Sequence, residues 1–160
     1  MVNNHYFSPS YGTLTLDEVR SKTLKFIQEF PEYKYQMVIG TDSKPANGKG
    51  IDFVTAIVIH RQGVGGIYFW KRLVESKSLV LRNRIYQEAV LSLNCAQEVL
   101  EAFKNDGFNK FNVEIHVDVG KFGDTRTMLT EVVGMIRGSG FLVKTKPEAY
   151  AASNVADRHT

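Results

Sequence analysis

The protein has 160 residues and a net charge of +3, from 20 basic and 17 acidic side chains. A chain of this length can bury one substantial core but is too short for two comfortable domains, and its charge permits nucleic-acid binding without requiring it. The single cysteine, Cys95, excludes an intrachain disulfide, and no apolar run reaches the length of a membrane-spanning helix. We therefore expect one cytoplasmic domain over residues 1–160 with no membrane association: an N-terminal arm and helix in 1–35 and a core in 36–160.

The first predicted element is a helix over residues 15–30. Residues 1–14 are polar, aromatic and rich in turn formers, and they predict an irregular arm. Thr15 and Glu18 are spaced as in a capping box, in which each side chain bonds the other residue's backbone N–H. Pro31 ends the helix, because the residue before a proline avoids helical geometry.

Three strands are predicted next, over residues 37–42, 51–60 and 67–73. All three are apolar, and the second and third are rich in β-branched and aromatic residues. Glycines between the second and third strands can supply the positive φ of a hairpin turn, so these two strands should be antiparallel.

The remaining elements alternate between helix and strand. Apolar residues recur at helical spacing in a long helix that Gly107 ends. The predicted elements are this helix at 79–104, a strand at 111–119, a helix at 125–137, a strand at 141–146 and a short helix at 150–159. The order predicts an α/β fold with a five-stranded mixed sheet flanked by helices.

Four acidic residues stand out because of where they fall on these elements. Asp42 and Asp118 end the first and fourth strands, Glu88 lies on the inward face of the long helix, and Asp157 lies on the last helix. If those two strands are parallel neighbours, their ends emerge at the same edge of the sheet, where such sheets place ligands. Nearby carboxylates repel one another unless a cation binds them. Oxygen donors suit Mg²⁺ or Mn²⁺ rather than zinc.

Three segments carry a resemblance to a known family. Together with the order of elements and acids, they resemble the ribonuclease H-like superfamily and, more narrowly, the bacterial YkuK-type ribonuclease H-like family, over about residues 36–160. The segments are Ile39-Gly40-Thr41-Asp42-Ser43, His116-Val117-Asp118-Val119-Gly120 and Ala151-Ala152-Ser153-Asn154-Val155-Ala156-Asp157-Arg158. The N-terminal helix is an addition to the superfamily pattern.

The resemblance implies a two-metal site. Asp42 and Asp118 would bridge or flank the metals, Glu88 would bind one, and Asp157 would support the second, with Arg158 or His159 nearby. In two-metal hydrolysis of a phosphodiester, one cation activates a water molecule and the other stabilises the leaving oxygen. The implied function is a Mg²⁺- or Mn²⁺-dependent nuclease acting on RNA or DNA.

Two other functions are compatible with the same residues. One is a non-catalytic module that binds nucleic acid or protein on the same scaffold. The other is hydrolysis of a small phosphoester at the same acids. The sequence does not distinguish RNA from DNA, endonuclease from exonuclease, or one oligomeric state from another.

Some acidic and polar residues have two interpretations. Glu75, at the end of the third strand, competes with Glu88 as the third acid. Glu88 itself could be a solvated helical residue that pairs with Arg84, four positions earlier. Lys44 and His159 are candidates for orienting water.

Two further features also have two interpretations. His116 shares a strand face with Glu114 and Asp118 and could support the site, although a hydrogen-bonded structural histidine is the commoner case. A basic stretch could follow a phosphate backbone, although such a run is more often a solvated face. Its members are Lys71, Arg72, Lys77, Arg82 and Arg84.

Overall fold

A seven-stranded mixed sheet dominates the computed structural model of the protein, which describes residues 4–46, 48, 50–107, 112–120, 126–146 and 148–159, with backbone alone for 152–154 and 157. The strand order within the described residues is β2-β1-β5-β4-β3-β6-β7. The strands are β1 (Tyr6–Ser8), β2 (Gly12–Leu14), β3 (Tyr35–Ala46), β4 (Gly50–Arg61), β5 (Gly66–Glu75), β6 (Val113–His116) and β7 (Leu142–Lys144).

Helices flank this sheet and confirm the α/β class. They are α1 (Leu16–Glu29), α2 (Leu81–Ala102), α3 (Leu129–Gly138) and α4 (Asp157–His159). A 3₁₀ turn at Arg126–Met128 precedes α3, and a π-helical stretch at Ala151–Ala156, here called the π segment, runs directly into α4. None of the helices within the described residues has the length and apolar character that a membrane crossing requires.

The predicted capping box of α1 is confirmed. The Glu18 N–H donates to Thr15 Oγ1 at 3.2 Å, and the Thr15 N–H donates to Glu18 Oε1 at 3.0 Å. Two N–H groups that the helix itself cannot satisfy are thereby bonded. The helix ends at Glu29, just before Pro31, as predicted.

The N-terminal arm differs from the prediction, because it adds two strands to the expected five. Tyr6 and Leu14 are buried, and β1 joins the sheet through the pairing of Phe7 with Trp70 on β5. The Phe7 and Trp70 rings lie 4.8 Å apart. Strands of three residues are too short to show a periodic pattern, so packing on β5 decides their structure.

The predicted antiparallel pairing of the second and third strands is confirmed by β4 and β5, and the central strands differ in length. Strand β3 runs parallel to β6 from Met37↔Val113 to Gly40↔His116, and antiparallel to β4 as far as Ala46↔Gly50. The expectation that Asp42 ends its strand is therefore wrong: pairing with β4 continues four residues past it. Asp42 lies instead just beyond the point where the neighbour β6 ends.

The two faces of the sheet have different partners. Met37 and Ile39 of β3 lie on one face and belong to the main core, which also contains residues of α2. Val38 faces the opposite way and packs with Ala151 of the π segment. Since side chains alternate along a strand, Asp42 lies on the same face as Val38 and Ser43 lies on the face of α2.

Candidate active site

Asp42 and Asp118 lie near the point in the sheet where β6 ends and its longer neighbour β3 continues. Each is two residues beyond Gly40↔His116, the last pair of the parallel register. Adjacent strands lie about 4.8 Å apart, so this register brings the two aspartates near each other. Val117 and Val119 are buried in the main core, which indicates that Asp118, between them, points to the other side.

Glu88 lies on α2 and approaches the same region of the sheet. It is only 7% exposed, and Ser43 Oγ donates to Glu88 Oε2 at 2.5 Å. Arg84 donates from Nε to Ser43 Oγ at 3.2 Å and from Nη2 to the Ser43 carbonyl at 2.8 Å. The interpretation of Glu88 as a solvated acid paired with Arg84 is therefore wrong, because Arg84 bonds Ser43 and Glu88 is buried.

The electrostatics connect the three acids. Burial raises the pKa of Glu88 to about 8, and the charges of Asp42 and Asp118 add to the rise. The Ser43 hydrogen bond and the charge of Arg84 act in the opposite direction without cancelling it. Glu88 and Asp118 also line one small pocket, together with Thr41 and His116.

Asp118 has a basic partner that sequence reasoning missed. Lys146 Nζ lies 3.0 Å from Asp118 Oδ1, and the Asp118 side chain is 27% exposed. The backbone N–H of Lys146 donates to the Val119 carbonyl at 2.8 Å, so the chain after β7 is held beside the chain after β6. No local pattern predicts this pair, because its members come from different elements.

Asp157 begins α4, but its side chain lies outside the described residues. The residue before it, Ala156, is fully buried against Val54 and Ala56 of β4. The backbone that carries Asp157 therefore runs over the same face of the sheet as Asp42. Whether the carboxylate joins the other three acids stays a prediction.

His159 is occupied by contacts with β5. Its Nε2 lies 2.9 Å from the Tyr68 hydroxyl, its ring stacks on Trp70 at 4.6 Å between centroids, and its carbonyl accepts from Arg72. Burial, followed by the charges of Arg158 and Arg72, lowers the pKa of His159. These contacts hold the ring two strands away from β3.

Glu75 is a poorer candidate than Glu88. It pairs with Ile51 on β4, and Ile51 pairs with Pro45 on β3, so a whole strand separates Glu75 from β3. The charges that raise the pKa of Glu88 are those of Asp42 and Asp118. The structure therefore places Glu88, on α2, in the field of the two aspartates.

The donor set suits a hard divalent cation. Asp42, Glu88 and Asp118 offer only carboxylate oxygens, and a buried carboxylate near two others is relieved most directly by a positive ion. Within the described residues, no three His, Cys, Asp or Glu side chains come together closely enough to hold a metal ion. The donor chemistry fits Mg²⁺ or Mn²⁺, and the described part of the site supplies acids around a pocket rather than a complete coordination cage.

Comparison with known proteins identifies the family. A family model described as Ribonuclease H-like matches residues 18–160. The chain belongs to the ribonuclease H-like family. It is also 29% identical over 167 residues to the uncharacterized protein YkuK of Bacillus subtilis (strain 168), a match that covers 97% of this chain and 96% of that protein. Both findings confirm the resemblance to the YkuK-type ribonuclease H-like family.

Ribonuclease H-like proteins form a nuclease-like superfamily whose members often bind nucleic acid and often use divalent metals. The family match covers β3, α2, α4 and the segment that follows β6, which together carry the four acids of the predicted site. It also includes most of α1, the helix that the sequence suggested was an addition.

The basic stretch of this ribonuclease H-like chain does not form one row. Lys71 and Arg72 are adjacent on β5 and therefore face opposite sides of the sheet. Lys71 lies 3.4 Å from Glu98, and Arg72 lies 3.3 Å from Asp52. Arg82 pairs with Glu131 at 2.9 Å, and Arg84 is bound to Ser43. These contacts do not support a continuous phosphate-binding track.

Proposed function

We propose that the protein is a metal-dependent, nuclease-like phosphodiester hydrolase that acts on nucleic acid through Asp42, Glu88, Asp118 and Asp157. The observation that carries this proposal is the burial of Glu88 between α2 and the sheet, in the field of Asp42 and Asp118. A buried carboxylate near two others costs stability in a metal-free protein. A bound divalent cation would favour the ionised form of these acids and remove the cost, which supports a metal-binding role for them.

Each residue has a distinct part in the proposed site. Asp42 offers oxygens from β3 and Asp118 from the segment that follows β6, and Glu88 offers oxygens from the helix side, where Ser43 keeps it in place. Divalent cations, when bound, supply Lewis acidity to the water and to the leaving oxygen. Lys146 Nζ, 3.0 Å from Asp118 Oδ1, provides a positive charge beside the acids, and such a charge would attract an anionic substrate.

Hydrolysis measurements test the proposal directly. RNA, DNA and RNA–DNA hybrids are incubated with the wild-type protein, with Asp42→Asn and with Glu32→Gln, in Mn²⁺ and in Mg²⁺. Glu32 is exposed and lies before β3, so its variant is the matched control for loss of one carboxylate. We expect cleavage by the wild type and the control and none by Asp42→Asn. Equal cleavage by wild type and Asp42→Asn would reject the assigned site.

A non-catalytic module that binds nucleic acid or protein is the second candidate. It is favoured by the lack of a metal-holding group of three side chains within the described residues. Calorimetric titration with Mn²⁺ separates the two functions. No binding at millimolar Mn²⁺, combined with retained affinity for an oligonucleotide or a protein, would favour the module. Mn²⁺ binding that Asp42→Asn weakens would favour the hydrolase.

A further inference from the structure

His116, at the end of β6, is completely buried, and its two ring nitrogens have different partners. Nε2 lies 2.6 Å from Glu114 Oε1. Nδ1 accepts from the backbone N–H groups of Tyr150, at 3.0 Å, and Ala151, at 3.3 Å. A neutral imidazole has one donor and one acceptor nitrogen. Because two N–H groups point at Nδ1, the proton lies on Nε2 and is donated to Glu114.

Glu114 is well suited to accept that proton. Its side chain also accepts from Gln36 Nε2 at 3.2 Å and lies 3.7 Å from Lys144 Nζ. Burial acts to raise the pKa of Glu114, but the His116 contact, Lys144 and Gln36 outweigh it and lower the pKa below the usual range. An ionised Glu114 therefore orients the His116 ring, and its Nδ1 lone pair faces the start of the π segment.

The N–H groups that donate to His116 lie at the start of a helical stretch, the π segment. Such groups have no partner within the helix, and a nearby Ser, Thr, Asp or Asn side chain usually accepts from them. Here the acceptor comes from a strand more than thirty residues earlier in the sequence. The Tyr150 ring also meets the His116 ring edge-on at 4.7 Å. His116 is thus a long-range cap for the C-terminal segment.

The position of this cap links two residues of the proposed site, Asp118 and Asp157. His116 precedes Asp118 by two residues, and the π segment that it caps leads directly to Asp157 at the start of α4. Ala151, at the capped end, packs with Val38 of β3. The imidazole therefore determines where the chain that carries Asp157 begins its path across the sheet.

We propose that His116 is a positioning residue, which through its unprotonated Nδ1 docks the C-terminal segment on β6 and so places the backbone of Asp157 relative to Asp118. The docking is argued from contacts within the folded protein and does not require a bound metal. The consequence for metal binding rests on the proposed function.

Two substitutions separate the roles of the two nitrogens. The side-chain oxygen of Asn can occupy the position of Nδ1, so His116→Asn retains an acceptor for the C-terminal segment but loses the bond to Glu114. The amide nitrogen of Gln can occupy the position of Nε2, so His116→Gln retains the bond to Glu114 but loses the acceptor. Both replace the ring with a smaller amide, and each is the control for the other.

Hydrogen exchange and calorimetry provide the readouts. In metal-free protein, we expect faster amide exchange over residues 150–156 in His116→Gln than in His116→Asn, with β3 and β4 unchanged in both. Mn²⁺ affinity should fall about tenfold or more in His116→Gln and stay close to the wild-type value in His116→Asn. Equal effects of the two substitutions, or unchanged exchange in His116→Gln, would overturn the proposal.

The failures of the two proposals are distinguishable. If the wild type binds no Mn²⁺, the proposed function fails, while the exchange comparison still tests the docking. If neither variant folds, long-range ¹H–¹⁵N spectra of the wild type decide instead. A proton on Nε2 and none on Nδ1 of His116 supports the proposal, and a proton on Nδ1 contradicts it.

Discussion

At the scale of single residues, Glu88 determines the character of the site. Ser43 donates to it and Arg84 reaches Ser43, so the glutamate is held by hydrogen bonds rather than by a direct ion pair. These bonds do not offset the loss of water around a carboxylate that is only 7% exposed. Glu88 therefore retains its proton to a higher pH than an ordinary glutamate.

Replacing Glu88 with Gln should flatten the pH dependence of stability in metal-free protein. Glu88 has a pKa of about 8 in the folded state, against 4.5 for an ordinary glutamate. Between these values Glu88 binds more protons in the folded state than in the unfolded state, so its contribution to stability falls as pH rises through this range and is constant on either side. Glutamine resembles the protonated acid and does not titrate, so the substitution removes this pH-dependent contribution to stability.

Urea unfolding in EDTA at several pH values between about 5 and 8 measures the effect. Glu32→Gln, which removes an exposed carboxylate, should retain the wild-type slope of stability against pH. An unchanged slope in Glu88→Gln would show that Glu88 ionises in the folded state near its ordinary pKa.

At the scale of secondary-structure elements, the unequal lengths of neighbouring strands create the site. Strand β3 has twelve residues and β6 has four. The part of β3 beyond Gly40 therefore has β4 on one side and no pairing with β6 on the other. Asp42 lies in this part, where its backbone is held firmly by β4.

Helix α1 offers a test of local stabilisation. Thr15→Ala removes the hydroxyl that accepts from the Glu18 N–H, and it should lower the free energy of unfolding by about 1 kcal/mol. Thr15→Ser retains the hydroxyl and should lie close to the wild type. Chemical denaturation of the three proteins measures both changes. A loss of equal size in Thr15→Ser would attribute the effect to the methyl group rather than to the cap.

At the scale of the whole molecule, the main core joins α1, α2 and α3 to one face of the sheet, and Cys95 of α2 lies fully inside it. The thiol lies 3.9 Å from the Tyr6 hydroxyl on β1, within hydrogen-bonding distance for sulfur. Burial raises the pKa of Cys95 to about 11. The thiol is therefore both inaccessible and protonated at neutral pH.

Cys95 should react with a thiol reagent such as DTNB only when the core opens. We expect very slow labelling of the native protein near neutral pH, and labelling that follows unfolding as urea is added. Fully unfolded protein, which should react at once, is the control. Rapid labelling under native conditions would show that the region around α2 and β1 opens independently of the rest.

The sequence by itself determined the features that depend on neighbours along the chain. The capping box of α1 involves residues three positions apart, and α2 shows its apolar periodicity directly. The glycines between the second and third predicted strands indicated antiparallel pairing, which β4 and β5 confirm. The nearness of Asp42 and Asp118 required the first and fourth predicted strands to be parallel neighbours, which the sequence could only assume and the register of β3 and β6 shows.

Only the tertiary structure decided the contacts between distant residues. The bond from Ser43 to Glu88, the pair of Asp118 with Lys146 and the cap from His116 to Ala151 join separate elements, and no periodic pattern records them. The pairing of β1 with β5 is of the same kind. A local pattern reports the hydrogen bonds and the buried face of one element, whereas side-chain partners depend on how the elements pack, which is decided by the free energy of the whole fold.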